Sequence, residues 1–291
     1  MIIVISGCFG FIGQNLSGYL SERGHSIIGI YRKSMPVNRL IGDNITYIQC
    51  DLSVQLPIVD EFDLIINCAG NIGLRKIDIF TPRDLETDVD ILARLISLVH
   101  NVNPCAKLLH FGTVDEYGQL DGLLDESREC KPVSVYGRSK LAATTYLLRE
   151  VGESSLKAMI IRPSIVYGPG QNKEMFVASL LQSLMSNCEF KMTEGGQTRN
   201  FIHVHDLCNL VELLIQDFRC GEIVNAAFSE SYTLKDVAIA IATNVNKLEF
   251  LRIGEVDYRS NEIMNYSPTS TKAKELYGFL PQYDVLNYPN P

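Results

Sequence analysis

Basic residues are in deficit: 26 lysines and arginines stand against 34 aspartates and glutamates, a net charge of -8 over 291 residues. That excludes the basic surplus on which affinity for a nucleic-acid backbone rests. No apolar run approaches the ~18 residues of a membrane span. The opening Met1-Ile2-Ile3-Val4-Ile5 is too short, and too lacking in basic residues, for a secretory signal. Cys8, Cys50, Cys68, Cys105, Cys130, Cys188, Cys208 and Cys220 include no C-x-x-C pair and no histidine spacing suited to zinc. They read as reduced thiols of a cytoplasmic protein, with no metal and no membrane partner expected. With 46% hydrophobic and 21% charged residues the chain is ordinary globular protein, long enough for one large domain or two intimate ones.

Ile2 to Ser6 is a short β-branched run before a glycine, the pattern of a strand buried on both faces. Gly10 to Arg23 has helical spacing, with Ile12, Leu16, Tyr19 and Leu20 on one stripe and Gly24 as the stop. Further strands are expected at Ser26–Tyr31, Thr46–Cys50, Leu64–Cys68, Lys107–Phe111, Ala158–Arg162 and Glu222–Ala226. Helices are expected at Asp84–Val102 and Val135–Glu150. Strand and helix in alternation predict an α/β fold of the Rossmann type, a doubly wound parallel sheet. After Arg162 the residues Pro163, Gly168, Pro169 and Gly170 break the rhythm. The prediction is a dinucleotide-binding domain over 1–165, with 200–228 returning to it, and a smaller C-terminal α/β substrate lobe from 166–199 and 229–291. Phe176–Asn187 and Thr233–Thr243 are read as helices of that lobe, and the tail from Asp257 as polar and proline-rich.

Gly7-Cys8-Phe9-Gly10-Phe11-Ile12-Gly13 falls between the first strand and first helix. Glycines there permit a tight turn, close approach of a pyrophosphate, and presentation of helix N-terminal amides to it. At the end of the second strand stand Tyr31-Arg32-Lys33, where an NAD-selective fold places an acid on the ribose 2′-hydroxyl. Two cations instead suit a 2′-phosphate, so NADP is the expected cofactor. The alternative is NAD, bound without the acid, with Arg32 and Lys33 as solvated loop charges. Asp51 is positioned to reach the adenine amino group, and Asn67-Cys68-Ala69-Gly70 lies on the expected cofactor path. Turn chemistry is the other explanation of both.

Tyr136-Gly137-Arg138-Ser139-Lys140 places a phenol and an ammonium one helical turn apart. A free phenol, with a pKa near ~10, is a poor acid–base group at neutral pH. A neighbouring ammonium favours the phenolate and makes proton exchange with a substrate oxygen practical. Gly112-Thr113-Val114-Asp115-Glu116-Tyr117-Gly118 ends the preceding strand, and Thr113 can offer a hydroxyl to the same oxygen. Strand ends on one edge of a parallel sheet converge at the switch point, so glycine loop, Thr113 and the Tyr136 helix are expected to share a crevice.

On these motifs, with Asp51-Leu52, Arg162-Pro163, Val166-Tyr167-Gly168-Pro169-Gly170-Gln171 and Thr198-Arg199-Asn200-Phe201-Ile202-His203-Val204-His205-Asp206, the chain resembles the extended short-chain dehydrogenase/reductases. Within them it is similar to the nucleoside-diphosphate-sugar epimerase, dehydratase and reductase group. The resemblance implies Thr113, Tyr136 and Lys140 as the catalytic triad. It implies a cofactor site of Gly7, Phe9, Gly10, Phe11, Ile12, Gly13, Tyr31, Arg32, Lys33, Asp51, Leu52, Cys68, Ala69, Gly70, Tyr136, Lys140 and Pro163. For a nucleoside-diphosphate sugar it implies Arg199 and Arg259 on the diphosphate, where a planar guanidinium makes paired bonds, with Asp115, Gln171 and Asn172 also lining the substrate. His203 and His205 are read as structural. A homodimer through the helices at 84–102 and 135–150 is also implied.

Dehydratases of the group resemble Thr-Asp-Glu, whereas this chain has Thr113-Val114-Asp115, which disfavours dehydration. The likeness is to reductases of 4-keto-6-deoxy sugars, enzymes of deoxysugar biosynthesis. The alternatives are an NAD-dependent nucleotide-sugar 4-epimerase and, from another class, a non-catalytic dinucleotide-binding protein.

Overall fold

The computed structural model describes residues 1–37, 39–70, 81–119, 122–259 and 262–289. In chain order its elements are β1 (Ile2–Ser6), α1 (Phe11–Ser21), β2 (Ser26–Tyr31), β3 (Ile45–Gln49), β4 (Leu64–Asn67), α2 (Pro82–Val102), β5 (Lys107–Phe111), β6 (Leu123–Leu124), α3 (Val135–Glu153) and β7 (Lys157–Pro163). There follow β8 (Ile165–Tyr167), α4 (Phe176–Met185), β9 (Phe190–Met192), β10 (Thr198–His203), α5 (Val204–Gln216), β11 (Ile223–Ala226), β12 (Ser231–Thr233), α6 (Leu234–Asn244), β13 (Leu251–Ile253), β14 (Ser267–Pro268) and α7 (Thr271–Tyr277).

The main sheet runs β11-β7-β5-β4-β1-β2-β3. β1 pairs in parallel with both β2 and β4, Val4 opposite Ile28 on one side and Ile65 on the other. Succession therefore reverses direction at β1, which creates the switch-point crevice beyond its C-terminal end. Ile3, Val4 and Ile5 are fully buried, as befits a strand covered on both faces. Leu92, Leu95, Ile96 and Val99 of α2 and Ala143 and Leu147 of α3 join Val4, Ile65, Leu108 and Ile160 of the strands in one core. Burial of such side chains contributes about 1.5–3 kcal/mol each.

The chain divides into two compact units, one of Met1–Gly118, Glu129–Arg162 and Val211–Val224, the other of Gln119–Arg128, Pro163–Leu210 and Asn225–Pro291. The boundary expected after residue 165 falls at Arg162, and of the 200–228 segment the first unit takes Val211–Val224. Phe201–Phe218 is strand then helix: β10 lies between β8 and β12 in a three-stranded sheet, and α5 follows directly. The second unit has its own core, in which Val177, Leu180 and Leu184 of α4 meet Val237 and Ile241 of α6. The polar tail contains a helix, α7, that its composition conceals, with Ala273 buried at its centre. No described helix is long and apolar enough to cross a membrane.

Candidate active site

β1 ends in buried Ser6, and Gly7 turns the chain with φ +67, a conformation L side chains rarely adopt. Gly10 donates to the Gly7 carbonyl at 2.8 Å and caps α1 with no side-chain bond, so the helix opens with bare amides as an anion site requires. A Cβ on Gly13 would lie 2.4 Å from the Gly7 oxygen, so the loop folds this tightly only with glycine there. Burial pushes the Cys8 thiol up to about 12, which makes it a packing residue of the loop.

Beside the loop is a cleft of ≈ 390 Å³ lined by Gly7, Gly10, Ile30, Tyr31, Arg32, Cys50, Asp51, Leu52, Ser53, Cys68, Ala69, Gly70, Thr87 and Ile91. A dinucleotide fits this construction: a glycine cradle and helix amides at one end, a carboxylate and a guanidinium at the other. Of the residues expected there, Phe9, Phe11, Ile12, Gly13, Lys33, Tyr136, Lys140 and Pro163 are not among the lining. The Phe9 ring packs against Tyr31 and Tyr47 at 5.0 and 4.9 Å between centroids. Gly13 is buried and Lys33 exposed, while Pro163 closes β7. Asp51 lines the cleft while its Oδ1 accepts from Ser53 N at 3.0 Å and Ser53 Oγ at 2.6 Å. The Ser53 hydroxyl bond, then the Arg32 and Arg94 charges, hold its carboxyl below the usual range against a partial burial penalty.

Beneath the cleft is a polar layer that sequence reading missed. Ser6, Asn67 and His110 are aligned across β1, β4 and β5 and all are buried. Ser6 Oγ donates to Asn67 Oδ1 at 2.6 Å, and Asn67 Nδ2 lies 3.0 Å from His110 Nδ1. Ala69 N donates to both Ser6 Oγ and Asn67 Oδ1 at 3.2 Å, which fixes the cleft wall. Burial, reinforced by the Lys140 charge, depresses His110 well below its ordinary pKa and keeps it neutral. The signal was one polar residue at the same level of three apolar strands.

Thr113 begins a short 3-10 turn, Val114–Glu116, as a capping box. Its Oγ1 accepts from Asp115 N at 3.2 Å, which leaves the hydroxyl proton for another acceptor. Glu116 Oε1 accepts from Thr113 N at 2.9 Å, and its Oε2 accepts from Arg162 Nε at 2.9 Å and Nη2 at 2.8 Å. This pair, buried under the turn, was also missed.

Ser134 caps α3 by accepting from Gly137 N at 3.0 Å, which starts the helix one residue before half-buried Tyr136. A Cβ on Gly137 would stand 2.5 Å from the Asp115 carbonyl, so the first turn of α3 rests directly on the Thr113 turn. One turn on, Lys140 Nζ donates to the Phe111 carbonyl at 3.2 Å, two residues before Thr113. The Thr113 turn, the first turn of α3 that carries Tyr136, and the Lys140 ammonium thus meet at the C-terminal end of β5.

The remaining candidates belong to the second unit, Asp115 excepted. Half-buried Asp115 lies in the Thr113 turn. Gln171 is buried and donates to the Val166 carbonyl at 2.7 Å, whereas exposed Asn172 accepts from Glu174 N at 3.0 Å. Arg199 Nη1 donates to the carbonyls of Thr198 and Ile263 at 2.8 and 2.7 Å, and Nη2 meets Glu262 Oε1 at 2.5 Å. Arg259 is exposed, and its carbonyl accepts from Glu262 N at 3.1 Å. His203 stacks on Tyr283 with 4.5 Å between centroids and accepts from His205 N through Nδ1 at 3.2 Å. No group of metal-binding side chains occurs among the described residues.

Comparison with known proteins bears on this arrangement. Residues 3–227 match the model of the NAD dependent epimerase/dehydratase family. The chain is 26% identical over 249 residues to a dTDP-6-deoxy-L-talose 4-dehydrogenase (NAD(P)(+)) of Kitasatospora kifunensis, covering 80% of this chain and 76% of that one. It is 26% identical over 296 residues to the dTDP-D-glucose 4,6-dehydratase of Homo sapiens, covering 95% and 83%. In fold it is similar to a dTDP-glucose 4,6-dehydratase from Bacillus anthracis in complex with NAD, with TM-score 0.85, 22% identity and coverage of 99% and 94%. A UDP-glucose 4-epimerase with UDP-glucose from Thermotoga maritima gives TM-score 0.86, 20% identity and coverage of 99% and 96%. With the family model spanning most of its length, the chain belongs to the NAD dependent epimerase/dehydratase family.

Proposed function

We propose that the protein reduces the 4-keto group of a nucleoside-diphosphate 4-keto-6-deoxy sugar with NADPH, NADH being the alternative donor. The observation that carries this reading is Lys140, buried and bonded to the end of β5, one turn beyond Tyr136 and beside the Thr113 turn. A bound nicotinamide supplies the hydride for carbon 4. The glycine loop and the amides of α1 hold its pyrophosphate, and Asp51 and Leu52 flank the adenine end. Tyr136 gives its phenolic proton to the ketone oxygen as that oxygen gains charge. Thr113 donates a hydrogen bond to the same atom, and the Lys140 ammonium favours the phenolate left behind. Arg199 and Arg259 take the diphosphate, and Asp115, Gln171 and Asn172 line the sugar nucleotide.

Two observations support reduction over dehydration. Val114, at the position of the first acid in the dehydratase pattern, is buried. Arg32, rather than an acid, follows β2 at the cleft, as a 2′-phosphate requires. The fold likeness to an epimerase supports the second reading, a 4-epimerase that recycles one NAD. Absorbance at 340 nm decides: with freshly generated GDP-, CDP-, dTDP- and UDP-4-ketosugars, stoichiometric loss of NADPH or NADH is expected. Interconversion of 4-epimers without net consumption would establish the epimerase instead. Binding of the dinucleotide with neither outcome would leave a non-catalytic binding protein. The half-buried and exposed side chains of Leu141, Ala142, Thr145 and Tyr146 form a groove on α3 that supports the inferred homodimer.

A further inference from the structure

Behind the cleft, α2 brings a carboxylate against α3. Asp88 is 2% exposed; its Oδ2 accepts from Ser139 Oγ at 3.0 Å and stands 3.8 Å from Lys140 Nζ, itself on a residue 5% exposed. One carboxylate therefore engages two consecutive side chains of the motif that carries Tyr136. The same ammonium donates to the Phe111 carbonyl at 3.2 Å. A Cβ on Gly70 would lie 2.6 Å from Lys140 Nζ and 3.4 Å from Asp88 Oδ1, so the pair abuts the cleft wall where Gly70 stands. Thr87, the neighbour of Asp88 in α2, lines the same cleft.

We propose that Asp88 is a positioning residue for the reaction assigned above, acting through Lys140. Its carboxylate fixes the ammonium between Phe111 and Gly70 and keeps it protonated in a site that water scarcely reaches. The inference rests on the assignment of Lys140 and Tyr136 to that reaction.

The charged and titratable groups around Lys140 agree. Burial alone would lower its pKa, but Asp88 of α2 foremost, then Tyr136 of α3, Glu116 beyond β5 and Cys68 beyond β4, turn the balance and raise it. Glu116 is already committed to Arg162, and His110 on β5 is neutral. An ammonium so placed without Asp88 loses its most effective counter-charge. Removing that negative charge leaves the burial of the ammonium less compensated, so Lys140 deprotonates at lower pH.

Asp88→Asn keeps the size and the acceptor for Ser139 while removing the charge. In protein labelled with carbon-13 lysine, the Lys140 Cε resonance is assigned by its loss in Lys140→Met and titrated in wild type and Asp88→Asn. The midpoint is expected to fall by about one pH unit or more in the variant. The alkaline limb of kcat should move in the same direction, with the thermal midpoint recorded as the check on folding. An unchanged Lys140 midpoint in folded Asp88→Asn overturns the proposal. If that variant does not fold, the same lysine titration is made in Asp88→Ser, where the Lys140 midpoint must fall likewise and an unmoved midpoint overturns the proposal equally. Tyr136→Phe assayed in parallel separates the two claims: full turnover there refutes the reaction assignment, while the lysine titration still judges the ion pair.

Discussion

The carboxylate of Glu116 joins Arg162 through two guanidinium nitrogens at 2.9 and 2.8 Å while its other oxygen holds the amide of Thr113 at 2.9 Å. A single buried side chain therefore ties β7 to the first residue of the candidate triad. Glu116→Gln leaves the Arg162 charge buried and uncompensated. It is expected to cost about 3–5 kcal/mol of unfolding free energy, measured by urea denaturation at neutral pH. Loss of under ~1 kcal/mol would show that the pair is not an internal support.

Gly137→Ala sets helix propensity against sterics. Alanine is the better helix former by up to about 1 kcal/mol, yet its methyl would stand 2.5 Å from the Asp115 carbonyl. The first turn of α3 must then lift from the Thr113 turn. A fall in kcat of about tenfold or more is expected, with dinucleotide affinity by fluorescence titration little altered, because the cleft lining does not include residue 137.

Arg32 lines the cleft at the end of β2. If it receives a 2′-phosphate, Arg32→Ala should weaken NADPH by about tenfold relative to NADH, the scale of a lost charge-assisted bond. The ratio of kcat/KM for the two donors reads this directly. An unchanged ratio would assign Arg32 to solvent and favour NAD.

His203 gives a pH dependence of stability. Burial, with His205 adding to it, lowers its pKa from 6.5 to about 4. The unfolded chain therefore binds the proton first, and stability is lost as pH falls from the unfolded value toward the folded one. At about 1.4 kcal/mol per pH unit the ceiling is ~3.5 kcal/mol, and solvent screening of the half-buried ring keeps the effect below it. His203→Gln should flatten the change in urea midpoint between pH 7 and pH 4.5.

The dimer inferred through α2 and α3 is tested on the α3 groove. Tyr146→Glu places a charge among Leu141, Ala142 and Thr145. Light scattering behind size exclusion should report a dimer for wild type and a monomer for the variant. Monomeric wild type would refute the dimer.

Much of this was legible before any coordinates. The Ile2–Ser6 run, buried on both faces, and the glycines after it dictate a β–turn–α start, because strand burial and loop sterics are local consequences of residue type. The Tyr136 and Lys140 spacing likewise needs only a helix. What sequence could not disclose was which partners long-range packing supplies. Asp88 lies in a helix whose other polar residues resemble it in sequence, and only the approach of α3 makes it the counter-ion of Lys140. Glu116 reads as one more acid of a turn until Arg162, 46 residues later, reaches it. Arg199 was read as a diphosphate ligand, and its engagement by Glu262 depends on a tail with no periodic signal.

The central claim is proton transfer by Tyr136 in a dinucleotide-dependent reduction, and single-turnover kinetics of Tyr136→Phe test it most directly. NADPH binding by fluorescence should persist while oxidation at 340 nm with the preferred 4-ketosugar falls by about a hundredfold or more, the scale of general acid catalysis. A variant that oxidises the cofactor at the wild-type rate would contradict the account.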